Sequence, residues 1–363
     1  MKDRFFLCRW FCCLLFIYGC DQSKSPASQN STTETNESTD SIELIHFEPN
    51  KKVDVLINGE LFTSYLYSET IKKPVLYPLK TTKGTPLTRG FPLEPRAGER
   101  VDHPHHVGLW FNYGDVNGLD FWNNSDSIKA DKRKEMGTIR HKEIKNISSG
   151  KDASSLEVSM DWVQYDGKSL LEENTTFIFR ENGNTRTIDR ITTLTALDQE
   201  VNFKDNKEGM LGIRVARELE HPSDKEEIFT DASGKPTQVA QLNNSGVEGK
   251  YKSSEGIEGD EVWGTRGAWV TLNSNIKDEN VSLVIIDHPE NPGYPTYWHA
   301  RGYGLFSANN LGQKALSNGK DELNFKLPAG ESVTFKHRII VHSGDHLSDE
   351  KINSLSQDFE QLD

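Results

Sequence analysis

A chain of 363 residues with 34% hydrophobic content is long enough for one large all-β domain or two smaller ones, and it can bury roughly three quarters of its unfolded surface. Its formal net charge of −13 repels a phosphate backbone, which argues against nucleic acid as a partner. The four cysteines, Cys8, Cys12, Cys13 and Cys20, all lie near the N-terminus, so an internal disulfide, a thiol nucleophile and a thiolate metal ligand are not expected beyond them.

Residues 1–19 have the pattern of an export signal. Lys2, Arg4 and Arg9 precede or interrupt a short apolar run, WFCCLLFIY, whose nine residues are too few to span a bilayer, which needs about 20. The run ends Ile17-Tyr18-Gly19-Cys20 and resembles the lipobox of bacterial lipoproteins, with Tyr18 where a small residue is usual. That resemblance implies cleavage before Cys20 and lipidation of its thiol; an ordinary secretory signal is the alternative. Residues 20–41 are polar throughout and are expected to form a disordered tether. Flexible chain of that length reaches roughly 25 Å, which would hold the domain off a membrane.

From residue 42 to 363 the pattern is β, and one domain is expected. In LEVSMDWVQ, Leu156, Val158, Met160 and Trp162 alternate with polar residues, as one buried face of a strand requires. TTFIFR, TIDRITTL and VSLVIID carry the same β-branched and aromatic bias. LNFKLPAGESVTFKHRIIVHSG predicts two strands joined as a hairpin through Pro328-Ala329-Gly330-Glu331. Only the last stretch has helical spacing, through Ile352, Leu355 and Phe359. The expected fold class is all-β, a large antiparallel two-sheet sandwich with a short C-terminal helix.

Four segments break this monotony with Gly, Pro, aromatic and charged residues, the composition of loops that build a site on a rigid scaffold. They are residues 87–122, 203–218, 262–269 and 285–312. The first contains His103-Pro104-His105-His106. In a strand, His103 and His105 would share a face about 7 Å apart, with His106 pointing away. Three uses of such a cluster remain open. A metal would need a third ligand such as His141, His288 or His299. Acid–base chemistry needs only one well-placed imidazole. A structural role needs only backbone partners. Trp110, Tyr297 and Trp298 lie beside His, Arg, Asp and Asn residues, a mixture suited to stacking a sugar ring and bonding its hydroxyls.

DHPHHVGLWFNYGDVNGLDFW, KEGMLGIRVA and DHPENPGYPTYWHARGYGLFSANNLG resemble the PmoA-like family, often labelled methane oxygenase, over about residues 50–345. The particulate methane enzyme is an integral membrane copper protein, and this chain carries no spanning segment after its signal. The family pattern is in turn similar to the galactose mutarotase-like superfamily of β-supersandwiches, which implies a sugar site on the concave face of a large sheet. Mutarotases carry an arginine, then a histidine that protonates the ring oxygen, then a late glutamate that deprotonates the anomeric hydroxyl. Here Arg89 or Arg96 precedes the histidine cluster. The late block offers His299 and Arg301, with Asp287 and Glu290 as the nearest carboxylates and no evident glutamate further on. That departure argues against simple mutarotation.

Together these features imply a carbohydrate-active exported lipoprotein. His103, His105, His106, Glu208 and His299 are the expected catalytic groups. Arg89, Arg96, Trp110, Lys207, Arg214, Tyr297, Trp298 and Arg301 are the expected substrate-binding groups. No cofactor is required, although a transition metal held by the histidines is the oxygenase or hydrolase alternative, and a noncatalytic glycan-binding protein would use the same aromatics. The expected partners are a carbohydrate or other small molecule and, through a lipid on Cys20, a bacterial membrane.

Overall fold

Alternating apolar residues in the long β-branched segments form two large antiparallel sheets that share one core. The computed structural model describes residues 41–241 and 243–362; the signal segment, Cys20 and the tether up to residue 40 lie outside them. Each large sheet has eight strands. The first runs Ile42–Phe47, Lys52–Ile57, Glu60–Leu66, Val75–Leu76, Leu109–Tyr113, Gly209–Arg214, Leu305–Asn309 and Tyr297–Arg301 in spatial order. The second runs Lys250–Ser253, Trp269–Ile276, Glu279–Asp287, Ser332–Ser343, Thr185–Ala196, Ser169–Asn182, Ser154–Val163 and Thr138–Ser148. Neighbouring strands pair antiparallel throughout both.

The core lies between the sheets. Phe111 of the first sheet meets Trp162 and Phe335 of the second, with ring centroids 6.5 and 5.7 Å apart. Leu156, Val158, Met160 and Trp162 are all buried, as their alternation requires. The C-terminal helix, Asp349–Glu360, is capped by Ser348, whose hydroxyl accepts from the Lys351 amide. Its Ile352 and Phe359 pack on Trp269, Val284, Ile286 and Ile340, covering the outer face of the second sheet. Among the described residues, no helix is long and apolar enough to cross a membrane.

One local expectation fails. Phe325–Leu327 and Ser332–Ser343 are both strands, but they do not pair with each other. Phe325–Leu327 pairs with Val201–Phe203, while Ser332–Ser343 lies between Thr185–Ala196 and Glu279–Asp287. The Pro-Ala-Gly-Glu turn therefore redirects the chain between sheets. Its amides bond Ala196 and Pro328 instead of closing a hairpin: Gly330 N donates to Ala196 O and Glu331 N to Pro328 O.

Candidate active site

The outer face of the first sheet gathers many of the candidate residues. Its strand register aligns Trp110, Gly212, Ser307 and His299 in one row, and Arg214, Leu305 and Arg301 in the next. Residues paired this way share a face, so segments almost 200 positions apart in sequence meet on one surface. Phe111, Leu211, Ile213, Phe306, Trp298 and Ala300 alternate with these residues and fill the inter-sheet core. Gly212 has no side chain because the Trp110 indole occupies its place; a Cβ there would come within 2.6 Å of that ring.

The histidine cluster sits over this face as a turn, and the strand geometry expected for it does not hold. The His106 amide donates to the His103 carbonyl at 2.9 Å, and His103 takes a left-handed φ of 41°. A non-glycine residue in that region is uncommon and clusters at functional sites. The turn brings all three rings together. His103 stacks on His106 at 4.8 Å and 5°, and His106 stacks on Trp110 at 5.2 Å and 18°. On its other side, His103 stacks on Tyr303 at 5.3 Å.

Asp102 anchors the turn. Its Oδ1 accepts from the Nη1 of Arg89 and, at 2.7 Å, from the Nη2 of Arg214; its Oδ2 lies 2.9 Å from His103 Nδ1. Burial alone would raise this carboxyl, but the His103 hydrogen bond and the two guanidiniums hold it well below the usual carboxylate range. Arg89 also donates through Nη2 to the carbonyls of His103 and His106, at 3.0 and 3.2 Å. Burial, with Arg214 beside it, lowers Arg89 to about 9. Both arginines are almost fully buried, so they position the loop and are not open to substrate.

These contacts assign different roles to the three histidines. The Asp102 carboxylate lies beside Nδ1 of His103, whose side chain is 43% exposed and leaves Nε2 without a hydrogen-bond partner among the described residues. His106 is buried; Trp122 Nε1 donates to its Nε2 at 3.2 Å, and the Arg214 guanidinium lies 3.4 Å from Nδ1. Burial and its cationic neighbours push its pKa well down, so it stays neutral and only one of its two nitrogens can accept a hydrogen bond. His105 lines a separate cavity of about 240 Å³ with Ile71, Leu93 and Val107. Burial and the charge of Lys73 lower it to about 2, and its Nε2 has no hydrogen-bond partner. Of the three expected catalytic histidines, the structure thus buries His106 and turns His105 into a separate cavity, leaving only His103 open on this face.

Lys73 holds the turn from below, donating to the His105 carbonyl at 2.7 Å with its ammonium 5.4 Å from the Trp110 ring centroid. Burial lowers its pKa to about 7. Between about pH 7 and the unfolded value near 10.4, the unfolded chain binds the proton that the folded one has lost, so Lys73 makes stability rise with pH across that window. Lys73→Met is expected to flatten that slope. Urea unfolding at pH 7 and pH 9 checks this, and an unchanged pH difference in the variant would count against it.

His299 projects from the same face. Its Nδ1 donates to the Lys207 carbonyl at 2.8 Å, which leaves the lone pair on Nε2. Burial lowers its pKa to about 3, with Arg301, Lys207 and His103 adding to the effect, so this imidazole stays neutral. Glu208 is mostly buried, and burial raises its carboxyl against the pull of Lys207. The fields of Asp120 and His103 also reach it. Lys207 is exposed, with its Nζ 3.5 Å from Glu208. Arg301 is exposed and forms no ion pair among the described residues. Its guanidinium lies 5.9 Å from the Tyr303 ring and 5.5 Å from that of Trp263. Tyr303 is thus shared: Arg214 lies over it at 4.8 Å, and His103 stacks on it.

Four expected binding groups are placed otherwise. Trp298 is fully buried on the inner face of the sheet, donating from Nε1 to the Gly267 carbonyl at 3.1 Å; it cannot stack a ligand. Trp110 is on the correct face but fully buried beneath His106. Arg96 bonds Thr88 O and Glu99 beside another cavity. Tyr297 is buried, its hydroxyl bonded to Asp321 and its ring facing Arg266. Trp298→Phe is therefore expected to cost stability, roughly 1–3 kcal/mol, in urea unfolding. Weaker ligand binding at unchanged stability would contradict the inner-face placement.

Asp102 and Tyr303 were not singled out by pattern. Asp102 directly precedes His103, and adjacent side chains in an extended strand point to opposite faces. Only the left-handed turn at His103 folds the ring back onto its neighbour. Among the described residues, no group of three His, Cys, Asp or Glu side chains is arranged to hold a metal ion.

Among solved structures, the chain is similar to a candidate aldose 1-epimerase from Escherichia coli K12, with 10% identity and a TM-score of 0.34, covering 84% of this chain and 98% of that one. It is also similar to a GH36 alpha-galactosidase from Geobacillus stearothermophilus, with 11% identity and a TM-score of 0.39, covering 84% of this chain and 41% of that one. The galactosidase domain of an alpha-galactosidase-sucrose kinase shows 9% identity and a TM-score of 0.36, with 83% of this chain and 42% of that one covered. The chain thus spans about two fifths of the length of both galactosidase chains. No curated protein matches the chain. The family model that matches, over residues 52–357, carries no activity and no methane-oxygenase label. With most of its length matched by that model, the chain belongs to the family of unknown function DUF6807.

Proposed function

We propose that the protein is an exported lipoprotein that performs acid–base chemistry on a sugar or oxidised sugar, with the Asp102–His103 pair at its centre. The observation that carries this reading is the state of His103. Its Nδ1 lies 2.9 Å from the Asp102 carboxylate, which two buried arginines keep ionised, while its side chain is 43% exposed. An oriented imidazole of this kind can give or take a proton at Nε2. Glu208, with its raised carboxyl, and the neutral Nε2 of His299 are the candidates for the complementary transfer. Arg301 and Lys207 are the exposed cations that would hold a carboxylate, a keto group or vicinal hydroxyls. The sequence resemblance to mutarotase-like proteins supports a sugar as the substrate.

The test is to incubate the protein with a panel of aldoses, uronates and 3-keto sugars in D₂O and follow anomeric exchange, deuterium incorporation and bond cleavage by proton NMR. At least one sugar should be turned over, and His103→Asn should stop it. Turnover that survives this substitution would remove His103 from the chemistry; no turnover across the panel would leave binding without catalysis as the better account.

The export part of the proposal rests on Cys20, the thiol that follows Gly19 at the end of the apolar run. Cys20→Ser is expected to release the protein from the membrane fraction and change its gel mobility. If the variant stays membrane-bound with unchanged mobility, the lipid anchor is wrong.

A further inference from the structure

A second cleft, separate from the histidine turn, combines features that the first site does not use. It lies between the start of the first sheet and the edge strand of the second, where Tyr67, Arg140, His141 and Tyr165 line a cavity of about 460 Å³. That volume falls in the ordinary range for small-molecule sites, about 300–1,000 Å³.

Its aromatic wall is fixed before any ligand arrives. Tyr67 packs on His141 with ring centroids 4.1 Å apart, and its hydroxyl bonds His46 Nε2 at 2.8 Å. His141 is held in turn by the Tyr65 hydroxyl, 3.0 Å from Nδ1. Facing them, Tyr165 sits in the turn between Ser154–Val163 and Ser169–Asn182, which is closed by the Gln164 amide on the Lys168 carbonyl at 2.9 Å. Tyr165 is 64% exposed, more than any other large hydrophobic residue described. Neither the core nor any hydrogen bond among the described residues accounts for that position.

The charge of the cleft opposes that of the chain. Lys51, Lys72, Arg133 and Arg140 line it against only Glu69 and Asp126, in a protein of net charge −13. Lys51 is paired with Glu69 and Lys72 with Asp126. Arg140 forms no ion pair or side-chain hydrogen bond among the described residues, and Arg133 donates only to the Ile128 carbonyl. Two exposed guanidiniums that form no ion pair, with Asp161 opposite Arg140 in the strand register, beside two tyrosine faces, match a ligand with both an apolar ring face and an anionic group.

We propose that this cleft is a binding site for an acidic oligosaccharide, with Tyr67 and Tyr165 stacking on sugar rings and Arg140 and Arg133 pairing with uronate carboxylates. The proposal is independent of the chemistry assigned to His103, because none of the groups in that site lines this cleft. A site of this kind would retain a polyuronate chain at the protein while another part of it, or another molecule, is processed.

The test uses the full-length protein in detergent and titrates trigalacturonate by calorimetry, with neutral maltotriose alongside. Trigalacturonate should bind and maltotriose should bind far more weakly. Arg140→Ala should weaken trigalacturonate by about tenfold or more, the loss typical of one charge-assisted hydrogen bond, and Tyr165→Ala several-fold. Both residues are exposed, so their variants should melt at the temperature of the unmodified protein. Arg301→Ala should leave this binding unchanged. The proposal is overturned by an absence of trigalacturonate binding, by equal affinity for maltotriose, or by affinity that ignores Arg140 and Tyr165. Loss in Arg301→Ala alone would also overturn it, by placing the acidic sugar in the other site.

Discussion

Replacing His103 with asparagine is expected to lower turnover by roughly 10²- to 10⁴-fold, the effect typical of removing a single general acid or base. Asparagine is the informative substitution because it tolerates the left-handed backbone that His103 adopts at φ 41°. Its side-chain amide can also still donate toward Asp102, so the turn should persist. What it lacks is a second nitrogen able to carry a proton. Alanine would remove the same group but also every polar contact with Asp102, which would confuse loss of chemistry with loss of the turn. The measurement is the rate on whichever sugar the NMR panel identifies, with the melting temperature as control. A variant that retains a rate within about threefold, far short of the usual loss, would mean that proton transfer runs through His299 or Glu208 without His103.

Asp102→Asn should have the largest effect on stability. The substitution leaves Arg89 and Arg214 without their shared counter-charge, and both guanidiniums are almost fully buried. Breaking a buried pair from one side typically costs 3–5 kcal/mol, about the range expected here. The pH dependence has a definite sign. Asp102 is held below its unfolded value of about 3.9, so its contribution is fully present above that pH. As the pH falls through the unfolded value, the unfolded chain takes up a proton that the folded chain refuses, and the contribution is lost progressively toward the lower folded pKa. The unmodified protein should therefore lose more stability than the variant between pH 5 and pH 2.5. Urea denaturation at both pH values measures the difference. Equal stability of the two proteins at pH 7 would show that the arginines find other partners and that Asp102 is not the anchor of the turn.

The two substitutions separate roles that adjacent residues would otherwise obscure. His103→Asn should remove chemistry with little change in stability. Asp102→Asn should remove stability and also release the His103 ring, so activity falls for a second reason. If instead both variants lose only stability, the turn is a structural device and the histidine cluster carries no proton transfer.

Several features of this protein are determined by sequence alone, because they depend on local periodicity. The alternation of Leu156, Val158, Met160 and Trp162 requires a strand with one buried face, and these residues are buried. The spacing of Ile352, Leu355 and Phe359 requires a helix, and Ser348 caps it. The concentration of His, Arg, Gly and aromatic residues in residues 87–122 and 285–312 also marks the segments whose side chains share one outer sheet face, since strand interiors do not need that composition. Pairing was not legible in the same way. The Pro-Ala-Gly-Glu turn has hairpin composition, yet its two strands find partners far away in sequence, because a short turn motif sets local direction and not which sheet receives each strand. The side of the sheet was decided by register: His299 and Trp298 are neighbours, and a single-residue step places one on the site face and the other in the core. The role of each histidine depended on contacts from distant segments. Arg214 and Tyr303 lie more than 100 positions from His103, and only the paired strands of the folded sheet bring a buried guanidinium to Asp102 and an aromatic face to His103, which is what distinguishes the exposed imidazole from the buried His106 and the half-buried His105.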